Sequence, residues 1–335
     1  MKNFSDGISK ADIEIRPYQL LSTVCFLGGV ECPLSEKDMI INILKQVGNN
    51  PALRIRLLSD ADEIPYYRDV KDDLHIDQIY NRKRDLDVLQ KLGLVPGDTR
   101  RARYLYELLF QRITTPKGIC SYNTHGWEGC PHADSGAYES IINKSFSAIV
   151  YMRSDDERKS YKNSSVLEIQ NAEKLYIRPH HLMCMCCHYD GGRGDFPSDQ
   201  DNLYELLKRI QEEPKIPIVL VEGCCMVCDP CDGYDPKTDR CVHGGGLIRD
   251  YKKDLDVFQK LGLMPGAEMK AVELLKLLFE RIPSTKYICG YGDGVLTSNE
   301  WSICGGPDGN DAYINTIKNG IFASGIKQFN STCGN

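Results

Sequence analysis

The chain contains no apolar run near the ~18 consecutive residues that a membrane-spanning helix requires, and its first seven residues, Met1-Lys-Asn-Phe-Ser-Asp-Gly7, carry no apolar signal region. The expectation is a cytoplasmic protein with no membrane partner. Basic excess is missing too. Lys and Arg number 41 against 47 Asp and Glu, for a net charge of -6, and no basic tract is interleaved with aromatics, which argues against nucleic acid as a partner. No Gly-x4-Gly-Lys phosphate loop and no Gly-x-Ser-x-Gly elbow is present, and Gly244-Gly245-Gly246 lacks the preceding strand of a dinucleotide fingerprint. What remains is an ordinary globular composition, 41% hydrophobic and 26% charged, with one excess: cysteine.

Eleven of the 15 cysteines follow residue 165. In a reducing compartment such crowding reads as metal ligation or thiol chemistry, and the odd total leaves at least one thiol unpaired by disulfides. Its centre is Cys225-Met-Val-Cys228-Asp-Pro-Cys231, three thiols at two-residue spacing.

The chain is also a duplication. Asp85-Leu-Asp-Val-Leu-Gln-Lys-Leu-Gly-Leu-Val-Pro-Gly97 returns as Asp254-Leu-Asp-Val-Phe-Gln-Lys-Leu-Gly-Leu-Met-Pro-Gly266. Ile15-Arg-Pro17 pairs with Ile177-Arg-Pro179, Gly28-Gly29 with Gly191-Gly192, Ile119-Cys120 with Ile288-Cys289, and Trp127-Glu-Gly-Cys130 with Trp301-Ser-Ile-Cys304. The fold class expected is α+β and helix-rich: two tandem copies related by pseudo-twofold symmetry, each with one or two short strands and Cys-rich loops. The copies are residues 1–151, degenerate, and 169–335, Cys-rich. Residues 152–168, polar and without apolar periodicity, read as a linker.

Prolines Pro17 and Pro179 mark first helical turns, and Ser35 reads as the cap of a helix through Met39, Ile40, Ile43, Leu44 and Val47. Strands are expected at Leu53–Leu58 and Ile216–Val221, with Pro217 at an edge or a strand start. Helices ending near Gly93 and Gly262, then near Ile113 and Ile282, are followed by closing helices at about 137–146 and 312–322.

Cys-x2-Cys-x2-Cys is similar to the first three ligands of a bacterial ferredoxin run, in which one loop reaches three corners of a [4Fe-4S] cube. Here no Cys-Pro follows, so the fourth thiol comes from Cys184, Cys241, Cys289 or Cys304. Asp229, Asp232, Asp235 and Asp239 nearby would lower the potential of a cluster and suit a basic partner. Zinc competes through Cys228, Cys231, Cys241 and one further thiol. A redox-active thiol pair is a third option, although such a pair ordinarily opens a helix and Asp-Pro-Cys-Asp-Gly reads as turn.

From Ile177 to about Gly305 the chain resembles a small bacterial and archaeal domain of uncharacterised function, proposed to bind an iron-sulfur cluster. The resemblance is carried by Arg178-Pro-His180-His181-Leu-Met-Cys184, Gly191-Gly192, Val221-Glu-Gly223, the loop Cys228 to Cys241, the helix Asp254 to Gly262, and Cys289 with Cys304. It implies a cluster drawn from Cys184, Cys228, Cys231, Cys241, Cys289 and Cys304; spacing alone selects Cys225, Cys228 and Cys231. Two centres sharing the clustered thiols are a further arrangement. Cys224 and Cys225 stand where members of that family carry an acidic or proline-like pair.

His180 and His181 are candidates for a place beside the metal, as ligand, hydrogen-bond donor or proton carrier, against a bland reading as buried histidines satisfied by backbone. In the first copy Tyr18, Gln19 and Ser22 replace the histidine pair and Cys184, and Asp60–Arg68 replaces the thiol loop. Cys120 and Cys130 are candidates for a second site there, with small buried hydrophobes as the preferred account. Three functions follow: a cytoplasmic iron-sulfur protein for electron transfer with a redox partner protein; an iron-sulfur enzyme with an open iron acting on a small, sulfur-containing substrate; and a zinc-stabilised interaction scaffold.

Overall fold

A computed structural model describes residues 10–31, 34–59, 61, 76–121, 129–189, 196–243, 247–290, 298–301 and 311–322. Cys304, Trp127, the Gly191-Gly192 and Gly244–Gly246 runs, most of 60–68 and the Ser35 side chain lie outside them. The chain divides into two compact units, Met1–Met152 and Arg153–Asn335. It is α+β and helix-rich, with small sheets.

In the first unit, β1 (Ile13–Ile15) runs into α1 (Pro17–Leu27) and α2 (Leu34–Asn49), and the chain returns as β2 (Arg54–Leu57), parallel to β1 with Ile13 opposite Ile55. A parallel pair needs a crossover, and the two helices supply it. Next come α3 (Ile76–Leu92), β3 (Thr99–Arg101) antiparallel to β2, α4 (Ala102–Arg112), α5 (Ala137–Ile142) and a 3-10 turn at Phe146–Ala148. Alternation along β2 buries Ile55 and Leu57 against Leu20, Val24, Val88, Leu89 and Leu105.

The second unit opens with α6 (Asp155–Asn171), then repeats the order with β4 (Leu175–Ile177), α7 (Pro179–His188), α8 (Leu203–Glu212) and β5 (Pro217–Leu220), parallel to β4. It inserts the hairpin β6 (Tyr234–Asp235) and β7 (Arg240–Cys241), then continues with α9 (Leu247–Leu261), β8 (Glu268–Lys270) antiparallel to β5, α10 (Ala271–Arg281), α11 (Lys286–Cys289) and α12 (Asp311–Asn319). β5 is central, not an edge, and tolerates Pro217 because proline stands at its first residue. β3, β8 and the hairpin go beyond the one or two strands expected of each copy. They are two or three residues long and mostly polar, so no alternation announces them.

The stretch read as a linker is helical. The Ser154 Oγ accepts from the Glu157 amide at 3.1 Å, capping α6, and Asp155, Asp156 and Glu157 occupy its positive first turn. Lys162, Ser165 and Ile169 form a buried stripe at helical spacing that apolar periodicity misses, because two of its three members are polar. Lys162 Nζ donates to the Asp201 carbonyl and pairs with Glu205, each at 2.7 Å. The segment therefore has buried partners, which a solvated linker would not.

Each unit carries the same clasp on its first strand and helix. Arg178 Nε and Nη2 donate to Asp254 Oδ2 at 2.8 and 2.6 Å, and the His180 amide donates to Oδ1 at 3.1 Å. In the first unit Arg16 and the Tyr18 amide hold Asp85 in the same way. Both aspartates open the duplicated segment, and both side chains are fully buried.

Candidate metal centre

The thiol loop follows β5 and is built of successive tight turns. The Cys228 amide donates to the Cys225 carbonyl at 2.7 Å, Cys231 to Cys228 at 2.9 Å and Tyr234 to Cys231 at 3.1 Å. This three-residue rhythm is the structural meaning of the Cys-x2-Cys-x2-Cys spacing. Three elements hold the loop from outside. The Met226 amide donates to the Tyr176 carbonyl of β4 at 3.1 Å. Asn202 donates its side-chain amide to the Met226 carbonyl at 2.8 Å and to Ser165 Oγ of α6 at 2.9 Å. Arg153, 6% exposed, donates to the carbonyls of Asp229 at 2.7 Å and Cys231 at 2.9 Å, and lies over the Tyr161 and Tyr234 rings. Sequence reading missed both: Arg153 stands in the stretch read as a solvated linker, and Asn202, just before α8, carries no spacing signal.

Against this loop α7 presents its first turn. His180 Nδ1 lies 2.7 Å from Asp254 Oδ1, so the clasp orients that ring. The next residue turns toward sulfur: His181 Nδ1 is 3.1 Å from Cys225 Sγ. A donor atom from each of His181, Cys225 and Cys228 lies within 4.8 Å of the other two. The neighbouring Cys224 and Cys225 thiols, as donors toward its sulfur, hold the Cys228 thiol well below the ordinary value, and the nearby His181 adds to the effect. Cys224 and Cys225 move the opposite way, Cys224 first through its bond to Cys228 and Cys225 first through burial. Burial, with the neighbouring His180, pushes His181 down to about 3, leaving a neutral imidazole that can ligate. Desolvation and the Cys228 charge raise the Asp229 carboxyl to about 7.

Cys231, third member of the triplet, has different partners. It groups with Asp232 and His243, whose donor atoms also lie within 4.8 Å of one another. His243 Nε2 is 3.0 Å from Asp232 Oδ1 and 3.8 Å from Cys231 Sγ, and Nδ1 is 3.9 Å from Cys241 Sγ. Sequence reading passed over His243, and Cys231-Asp232 followed by Cys241-x-His243 is the pattern that held the signal.

Of the remaining expected ligands, Cys304 lies outside the described residues. Cys184 lies three and four residues beyond the histidine pair on α7, on the same helical face, and is half-buried. Cys289 packs with Cys187 against the second core, where, after desolvation, they and Cys186 add to the rise of the Tyr313 hydroxyl. In the first unit Cys120 is a buried core residue whose thiol burial pushes up. The Cys130 amide donates to the Cys120 carbonyl at 2.8 Å, as does the Tyr80 hydroxyl. Among the described residues, both groups able to share an ion lie in the second unit.

No helix among the described residues is long and apolar enough to cross a membrane. Comparison with family models, with curated proteins and with solved structures found no match for this chain.

Proposed function

We propose that the second unit binds an iron-sulfur centre of the [4Fe-4S] type, with the protein serving as a cytoplasmic electron-transfer protein. The observation that carries this reading is the grouping of His181, Cys225 and Cys228, whose donor atoms lie within 4.8 Å of one another, with His181 Nδ1 at 3.1 Å from Cys225 Sγ. Two thiols and one neutral nitrogen, with no carboxylate among them and the Cys224 thiol adjacent in sequence, suit a soft metal centre. Cys224, Cys225 and Cys228 would hold it, and His181 would fill the fourth position or donate to a sulfur. The centre supplies a one-electron couple; the chain's own residues set its surroundings. Arg153 and Asn202 fix the loop's carbonyls, the Arg178–Asp254 clasp fixes the start of α7, and Asp229, Asp232, Asp235 and Asp239 favour a basic redox partner.

Anaerobic purification with iron and sulfide analysis and electron paramagnetic resonance tests the reading. The expected protein is coloured, with iron and sulfide in near-equal amounts and a reducible signal that Cys228→Ser abolishes. Colourless protein without iron overturns it. His181, a non-thiolate donor, favours a second reading as an enzyme with an open iron; a small sulfur-containing substrate would then change the spectrum of the oxidised centre.

A further inference from the structure

We propose that Cys231, Asp232 and His243 form a mononuclear zinc site of their own, distinct from the iron-sulfur centre at Cys228, with Cys241 orienting the imidazole and a fourth position open to solvent. This goes beyond the reading above and does not depend on it. The donor set is one sulfur, one carboxylate oxygen and one ring nitrogen, the mixture that zinc accepts and an all-thiolate cluster does not need. The spacing fits as well. Tetrahedral zinc with Zn–S near 2.3 Å and Zn–N and Zn–O near 2.0 Å puts a ligating nitrogen ~3.6 Å from the sulfur and ~3.3 Å from the oxygen. His243 Nε2 stands 3.8 Å from Cys231 Sγ and 3.0 Å from Asp232 Oδ1, a few tenths of an ångström away in each case.

The surroundings are those of a ligating histidine. Nδ1 faces Cys241 Sγ at 3.9 Å, and donation from that nitrogen leaves the Nε2 lone pair for a metal, the usual division of labour between the two ring nitrogens. The Gly233 amide donates to Cys231 Sγ at 3.3 Å, a bond that stabilises thiolate charge. Gly233 has a second role. A Cβ there would lie 2.5 Å from His243 Cγ and Nδ1, so only glycine leaves room for the ring. The β6–β7 hairpin closes the site. Tyr234 pairs with Cys241, and the Val242 amide donates to the Gly233 carbonyl at 2.7 Å, bringing Cys231-Asp232 and His243 together from its two ends. Asp232 and His243 are each more than a third exposed, which leaves the fourth position accessible to water or a small anion.

The full chain, purified anaerobically, would be assayed for zinc and iron in parallel, and its zinc affinity measured by competition with a chromophoric chelator. The expected result is one zinc per chain, retained in the double variant Cys225→Ser, Cys228→Ser after iron is gone. Cobalt added to that variant should give thiolate charge-transfer and tetrahedral d–d bands. Gly233→Ala should weaken zinc ~10–100-fold and His243→Gln, which removes a ligand, by more, each with iron unchanged; Gly233→Ala removes no donor and so separates ring placement from ligand loss. Circular dichroism identifies any variant that has unfolded. Zinc absent from wild-type protein, or zinc and iron lost together in both sets of variants, overturns the proposal. Iron absent with zinc intact instead overturns the cluster reading alone.

Discussion

Asp254 does most to position the first turn of α7, and its chemistry differs from that of its counterpart. Burial pushes the Asp254 carboxyl up, but His180 and Arg178 pull it down further, to a net position below its ordinary 3.8. At Asp85 burial wins over the Tyr18 amide and Arg16, and the carboxyl sits above 3.8. The signs therefore oppose. Asp254 contributes stability that is present above pH 3.8 and lost as pH falls through its lower folded value. The Asp85 contribution is greatest below pH 3.8 and is lost as pH rises through its raised one. Urea midpoints followed from neutral pH into the carboxylate range should fall less steeply in Asp254→Asn than in wild type at the acidic end. Asp254→Ala should cost ~3–5 kcal/mol, because Arg178 and His180 are left buried without their anion. Asp85→Ala should cost less, since the Arg16 side chain is 33% exposed and can reach water. None of this was visible beforehand: the aspartates stood in the repeat, but identity of sequence does not say which arginine they meet.

Among the elements, α6 repays a test first. Its sequence, Ser154-Asp155-Asp156-Glu157, has the composition of an N-terminal cap and an acidic first turn, and a capping argument would have found it where hydrophobic periodicity could not. Ser154→Ala should lower stability by ~1 kcal/mol in equilibrium unfolding, in line with other lost caps. Arg153→Ala should do more to the thiol loop than to the helix. It withdraws the donor from the carbonyls of Asp229 and Cys231, so metal retention after dialysis against a chelator should fall while far-ultraviolet circular dichroism is kept. The helices α1 and α7 were legible for a firmer reason: proline at the first turn after an extended arginine has one favourable continuation.

For the whole molecule, two units with separate cores predict separable unfolding. The chain has two tryptophans, Trp127 and Trp301, so Trp127→Phe leaves a reporter in the second unit and Trp301→Phe leaves one in the first. Removing metal should lower the urea midpoint seen by Trp301 and leave that seen by Trp127 unmoved, because a ligand stabilises only the unit whose folded state binds it. An equal shift of both would show that the units do not unfold separately. By itself the sequence determined the duplication, the order of the helices the two copies share, the two parallel strand pairs' principal members and the crowding of thiols in one half, because these rest on local spacing and composition; α6, with a mostly polar buried stripe, escaped it. Only the tertiary structure decided how the thiols are shared out. Cys225 and Cys228 face His181, Cys231 turns to His243 across a hairpin, and Cys289 packs with Cys187 against a core. Residues close in sequence can point to different neighbours, and which neighbours they meet depends on where distant strands and helices bring the chain back.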